Sequence, residues 1–83
     1  MRGSVVISNA GRDKGKLQVI TDETEKSVSV CDGGEHPLER PKKKNLKHIS
    51  FTAYTLGENQ LETNKRLRRA LKELYGKDTE EEK

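Results

Sequence analysis

Apolar and polar residues alternate over residues 4–8, with Val5 and Ile7 on one face and Ser4, Val6 and Ser8 on the other, which predicts a short strand. A second strand is expected over residues 16–21, where Leu17 and Val19 share a face. A third, over residues 27–32, turns Val28 and Val30 inward and Cys31 to the opposite face. The polar stretch Asp22 to Lys26 reads as a turn, and Asp32-Gly33-Gly34 is a second, stronger turn signal. Residues 37–40 suggest a short fourth strand, and Pro41 confines any strand running through it to a sheet edge. Asn45 to Ser50 reads as a final strand, or as a 3₁₀ turn followed by one. Short strands at this spacing with short connections predict an antiparallel barrel or curled sheet.

The pattern changes at Phe51. Residues 51–62 lack a clear period and read as a connection. Thr63 is an N-cap candidate. From about Asn64 to Tyr75, Leu67, Ala70, Leu71 and Leu74 fall at helical spacing and form one apolar stripe. Gly76 suits the position just past the helix, and the acidic tail 77–83 is expected to be disordered. The chain thus divides into a β unit (1–50), a connection (51–62), a basic helix (63–76) and a tail (77–83). The stripe is expected to pack on the β unit; gripping a protein partner is the alternative.

Composition narrows the picture. With 83 residues, 29% hydrophobic and 37% charged, one domain with a small core is expected, and its stability is marginal. One cysteine allows no internal disulfide, and no His/Cys set has zinc spacing. A bound partner is therefore the expected source of added stability. No apolar run approaches membrane length and no signal-peptide core is evident, so a cytoplasmic protein without membrane contact, monomeric when free, is expected.

The net charge of +3 is unevenly placed. The tail 77–83 carries −2, leaving +5 on residues 1–76. Arg40, Lys42, Lys43, Lys44 and Lys47 precede His48 with no acid among them, and Lys65, Arg66, Arg68, Arg69 and Lys72 repeat the pattern on the helix. Clustered cations with acids elsewhere indicate an oriented polyanion site. The loop from Asn9 to Lys16 adds a third group. Gly11 and Gly15 supply positive φ or close backbone approach. Arg12, Lys14 and Lys16 bring charge, and free backbone N–H groups in such a loop suit phosphate. Asp13 reads as a turn or capping residue. Phe51, Tyr54 and Tyr75 are the only aromatics; any exposed one offers a stacking face, although small domains more often bury them. Catalysis has no support: there is no nucleophile elbow, P-loop or metal-ligand spacing, and Asp22-Glu23 reads as a solvated pair. No cofactor is expected.

The run Ala10-Gly11-Arg12-Asp13-Lys14-Gly15-Lys16, between two alternating segments, resembles a KOW motif, with Gly11 at the motif's glycine. Residues 3–50 are similar to small bacterial KOW-domain RNA-binding proteins, relatives of KOW-bearing large-subunit ribosomal proteins of archaea and eukaryotes. Asp32-Gly33-Gly34 and the Lys-rich run from Pro41 to Ile49, with its Lys47-His48 pair, add to the likeness. The resemblance implies an SH3-like β-barrel of about five short antiparallel strands followed by the C-terminal helix. It also implies RNA binding, with rRNA in the ribosome or its precursor as the expected partner and ribosomal proteins as further candidate neighbours. The expected RNA-contact residues are Asn9, Gly11, Arg12, Lys14, Gly15, Lys16, Arg40, Lys42, Lys43, Lys44, Lys47 and His48, with Lys65, Arg66, Arg68, Arg69 and Lys72 as a second set. A protein-interaction module of the transcription or translation machinery is the competing reading; general DNA binding is disfavoured because no DNA-reading motif is evident.

Overall fold

The computed structural model describes residues 2–81. Five strands, β1 (Ser4–Ser8), β2 (Leu17–Glu23), β3 (Ser27–Cys31), β4 (Lys42–Asn45) and β5 (Ile49–Thr55), precede one helix, α1 (Asn64–Glu81). The strands form one antiparallel sheet in the order β4-β3-β2-β1-β5. The fold is mainly β with a C-terminal helix, as expected. The two edge strands, β4 and β5, are joined by the single 3₁₀ turn Leu46–His48, whose N-cap Asn45 accepts the Lys47 N–H at 2.9 Å. So short a link holds the opposite edges near one another, and the sheet must curl to allow it. This curl is compatible with the SH3-like barrel.

Both sheet faces are buried. One carries Val5, Leu17, Val19 and Cys31 against Leu67, Ala70, Leu71 and Leu74 of α1, closed off by Leu56 and Leu61. The other holds Val6, Ile20, Val28, Val30 and Ile49 inside the curl, with Leu46 at its margin. This explains why Val5-Val6 and Val19-Ile20 are consecutive buried pairs: neighbours on a strand point to opposite faces, and here neither face is wet. The helix stripe is therefore core, with Leu67, Ala70, Leu71 and Leu74 all buried. Thr63 caps the helix as expected, its Oγ1 accepting the Arg66 N–H at 3.1 Å.

Several boundaries differ from the sequence reading. Asp22 and Glu23 extend β2, paired with Ser29 and Val28; the turn is tightened by Thr24, whose N–H donates to the Ser27 carbonyl at 2.8 Å. Residues 37–40 form a turn, not a strand, closed by the Arg40 N–H on the Pro37 carbonyl at 2.9 Å. The strand begins after Pro41, which leaves the lysine run itself as an edge strand. The predicted connection contains most of β5. A bulge opposite Ser4–Val6 hides this strand from any alternation test, although Phe51, Thr52, Tyr54 and Thr55 all favour extended backbone. There Thr52 Oγ1 donates to the Val5 carbonyl at 2.8 Å and accepts the Tyr54 N–H at 3.1 Å. The helix does not end at Gly76 but continues to Glu81, so 77–81 is helical; Glu82 and Lys83 lie outside the described residues. An interior glycine costs a helix only about 1 kcal/mol, and Lys77, Glu80 and Glu81 are good helix formers.

Gly33 sets how closely α1 docks. Its φ is +81°, and a Cβ there would strike the Asn64 carbonyl and the Arg68 backbone. The Asp32-Gly33-Gly34 turn is thus a contact surface for the helix as well as a turn.

Gln18 is 0% exposed and its side-chain amide has no hydrogen-bond partner among the described residues. Its register opposite Val6 places it on the inner face of the curl. An unsatisfied buried amide costs about 1–3 kcal/mol. Gln18→Met, close in volume, is expected to raise stability by about that amount in urea denaturation; a loss of stability would show that the amide makes a bond that matters.

Candidate nucleic-acid interface

The loop between β1 and β2 folds back as a 3₁₀ turn, Gly11–Asp13, with Gly11 and Gly15 both at positive φ. No atom lies within 4 Å of a Cβ placed at either glycine, so they serve the turn's backbone geometry and not a close approach. The N–H groups of Lys14, Gly15 and Lys16 donate to the carbonyls of Gly11, Ser8 and Asp13 at 3.3, 2.8 and 2.8 Å. These three groups are consumed inside the loop, so the expectation of free N–H donors does not hold for them. Of the loop's exposed cations, Arg12 is the one that faces the cleft.

Across from Arg12 stands β4. Together they line a cleft of about 640 Å³ that includes Gly11, Arg12, Lys42, Lys43, Lys44 and His48. Arg12, Lys42, Lys43 and His48 are exposed, and none forms an ion pair among the described residues.

Lys44 behaves differently. It pairs with Val28 in the β3–β4 ladder, which turns its side chain into the curl, where it is 9% exposed. Its ammonium donates to Ser8 Oγ at 2.7 Å and lies 3.3 Å from Asp13 Oδ2. The same carboxylate oxygen is 3.0 Å from His36 Nε2. Burial pushes the Asp13 carboxyl upward, but the His36 and Lys44 hydrogen bonds and charges outweigh it and hold the group below its ordinary value. Lys44 therefore anchors the floor of the cleft and is not available to a phosphate, contrary to the sequence reading. His36 is presented by the turn before it, where Asp32 Oδ1 accepts the N–H groups of Gly34 and His36 at 2.8 and 2.9 Å.

Other predicted residues scatter. Asn9 is a tether: its Nδ2 donates to Ser50 Oγ at 2.7 Å and its N–H to the His48 carbonyl at 2.8 Å. Lys16 lies outside the cleft lining and pairs at 3.4 Å with Glu35, an exposed acid that does line it. Lys14, Gly15, Arg40 and Lys47 lie outside the cleft lining. On the helix, Lys65, Arg68, Arg69 and Lys72 gather around a shallow hollow of about 290 Å³, while Arg66 is engaged by Glu62 at 2.8 Å.

Sequence reasoning missed the floor. Asp13, Glu35 and His36 bring potential metal-ligating atoms within 4.8 Å of one another. Lys44 already sits on the Asp13 carboxylate, and Arg12, Lys42 and Lys43 line the same cleft, so the local field favours an anion over a divalent cation. No spacing rule joins a loop aspartate to a histidine 23 positions away; the link exists only through the curl.

No family model matches the chain, and no curated protein matches it. Among the described residues, no helix is long and apolar enough to cross a membrane.

Proposed function

We propose that this protein binds structured RNA, with rRNA in the ribosome or its precursor as the target class, through phosphate contacts in the Arg12–β4 cleft. The observation that carries this reading is the convergence of Arg12, Lys42, Lys43 and His48 on one open cleft whose single buried acid, Asp13, is already neutralised from within. Lysines act there as point charges on phosphate, Arg12 offers a bidentate fork, and His48 offers a ring or a donor. Because Lys44 and His36 satisfy Asp13, the floor does not repel an incoming polyanion. The KOW-like loop supports the same reading.

The protein-module alternative uses the barrel surface and an apolar helix face, and the second of these is core. Sucrose-gradient sedimentation of tagged protein from gently lysed cells is the test. Co-migration with large subunits or whole ribosomes, abolished at high salt or after RNase, is the expected result. Migration at the top of the gradient under every condition would overturn the ribosomal target.

A further inference from the structure

Beside the cationic cleft, across the Lys16–Glu35 pair, a second hollow of about 300 Å³ lies between α1 and the start of β2. Its floor is apolar, formed by Leu17 and Leu71, and one wall is Tyr75. Lys16, Arg68 and Lys72 stand around it. Tyr75 is 40% exposed, one of the two exposed large hydrophobic residues among those described. It is also held in place: the Leu17 N–H donates to the Tyr75 hydroxyl at 2.6 Å. An aromatic fixed at the lip of an apolar slot and ringed by three cations is a pairing of surfaces that few ligands match.

We infer that this slot receives a single unpaired nucleobase, stacked on Tyr75, from an RNA whose flanking phosphates lie on Lys16, Arg68 and Lys72. The inference rests on the RNA-binding reading and adds to it a choice of RNA: one with an extruded or single-stranded base, not an uninterrupted duplex. Three features select this occupant. The cationic rim demands a polyanion. The apolar floor and the ring demand a flat, poorly hydrated group between those anions, which a nucleotide supplies and a free phosphate does not. The hollow is too small for a base-paired duplex but has room for one base. Asp32, also at the rim, is the one acid against the three cations of the lining, and its Oδ1 is taken up by two N–H bonds from its own loop. The neighbouring cleft lies just across Lys16, so one strand can cross both sites, with its backbone on β4 and the loop and its unpaired base against the helix.

The test uses the full chain and two RNA hairpins, identical except that one carries a single bulged 2-aminopurine. The bulged hairpin should bind roughly 5- to 150-fold more tightly, the worth of one base–aromatic stack, and its fluorescence should be quenched on binding. Tyr75→Leu should erase both the preference and the quench, while Tyr75→Phe keeps them. Lys72→Glu, which leaves the ring untouched, should weaken the bulged hairpin more than the plain one. Equal affinity of the wild type for the two hairpins, or a preference that survives Tyr75→Leu, overturns the nucleobase slot and leaves the cleft reading intact. Absence of salt-dependent binding to either hairpin overturns both. An acidic tyrosine-bearing peptide that binds the wild type, fails to bind Tyr75→Leu and leaves the bulge preference unchanged would assign the slot to protein instead.

Discussion

Asp13→Ala is expected to destabilise the domain by about 3–5 kcal/mol, because it strips a buried ammonium of its counter-charge. The side chains of Lys44 and Asp13 are 9% and 6% exposed, so water cannot replace the missing carboxylate without opening the curl. Among the described residues, Ser8 Oγ would remain as the hydrogen-bond acceptor of Lys44, and His36 would lose the Asp13 carboxylate as well. Against a total stability typically of about 5–15 kcal/mol for a small domain, this is a change visible in any urea titration. Replacing both ends separates the effect of charge from that of shape: Asp13→Ala with Lys44→Met should recover most of the stability, since an apolar pair in place of a buried ion pair is often neutral or better. An unchanged urea midpoint for Asp13→Ala alone would refute the anchor. The pH dependence follows from the depressed Asp13 carboxyl. A carboxyl that ionises more readily folded than unfolded stabilises fully above its unfolded value, near pH ~3.9, and loses that stabilisation as pH falls through the lower folded value. The stability gap between wild type and Asp13→Ala should therefore narrow below about pH 4.

The second large effect concerns binding. Arg12→Ala, Lys42→Ala and Lys43→Ala together should cut the slope of log affinity against log salt by about 2–3, at roughly 0.7–0.9 for each phosphate left without its cation. Over a fourfold rise in salt, that removes about 20–40-fold of salt sensitivity. All three side chains are exposed and unpaired with acids among the described residues, so the fold should be unaffected. Lys14→Ala, Arg40→Ala and Lys47→Ala together, three cations outside the cleft, are the matched control and should change the slope less. Equal slopes for the triple variant and the wild type on a structured rRNA fragment would remove the cleft as the binding surface. Lys44 does not belong in this set, since its replacement would act on the fold.

Lys44 shows where reading a chain by composition stops. In sequence it is one of three adjacent lysines, with nothing to set it apart from Lys42 and Lys43. Strand parity separates it from Lys43, but not from Lys42, which shares its face of β4. What distinguishes those two is depth along the curl and the presence of Asp13 and Ser8 at its end. Strand β5 was hidden for a different reason: its bulge disrupts the two-residue period that reveals β1 and β3. Helix α1 is more legible, because an amphipathic helix carries its evidence within a few turns. Thr63, Leu67, Ala70, Leu71 and Leu74 are a cap and a stripe that need no distant partner to be recognised.

Local chemistry was enough for the first three strands, the turn at Asp32-Gly33-Gly34, the basic helix and the three groups of clustered cations. Each depends on residues within one turn or one period of each other. Which cations face outward together was settled by pairing at long range. The ladder of β4 on β3, the short 3₁₀ link to β5 and the fold-back of the Gly11 loop bring residues 12, 42, 43 and 48 to one cleft, and sink residue 44 beneath it. The same docking of α1 over Gly33 turns an apolar stripe into core and leaves Tyr75 at the lip of a slot. Side-chain periodicity states which residues share a face; the burial of that face, and the charge it encounters there, is a property of the packed sheet and helix.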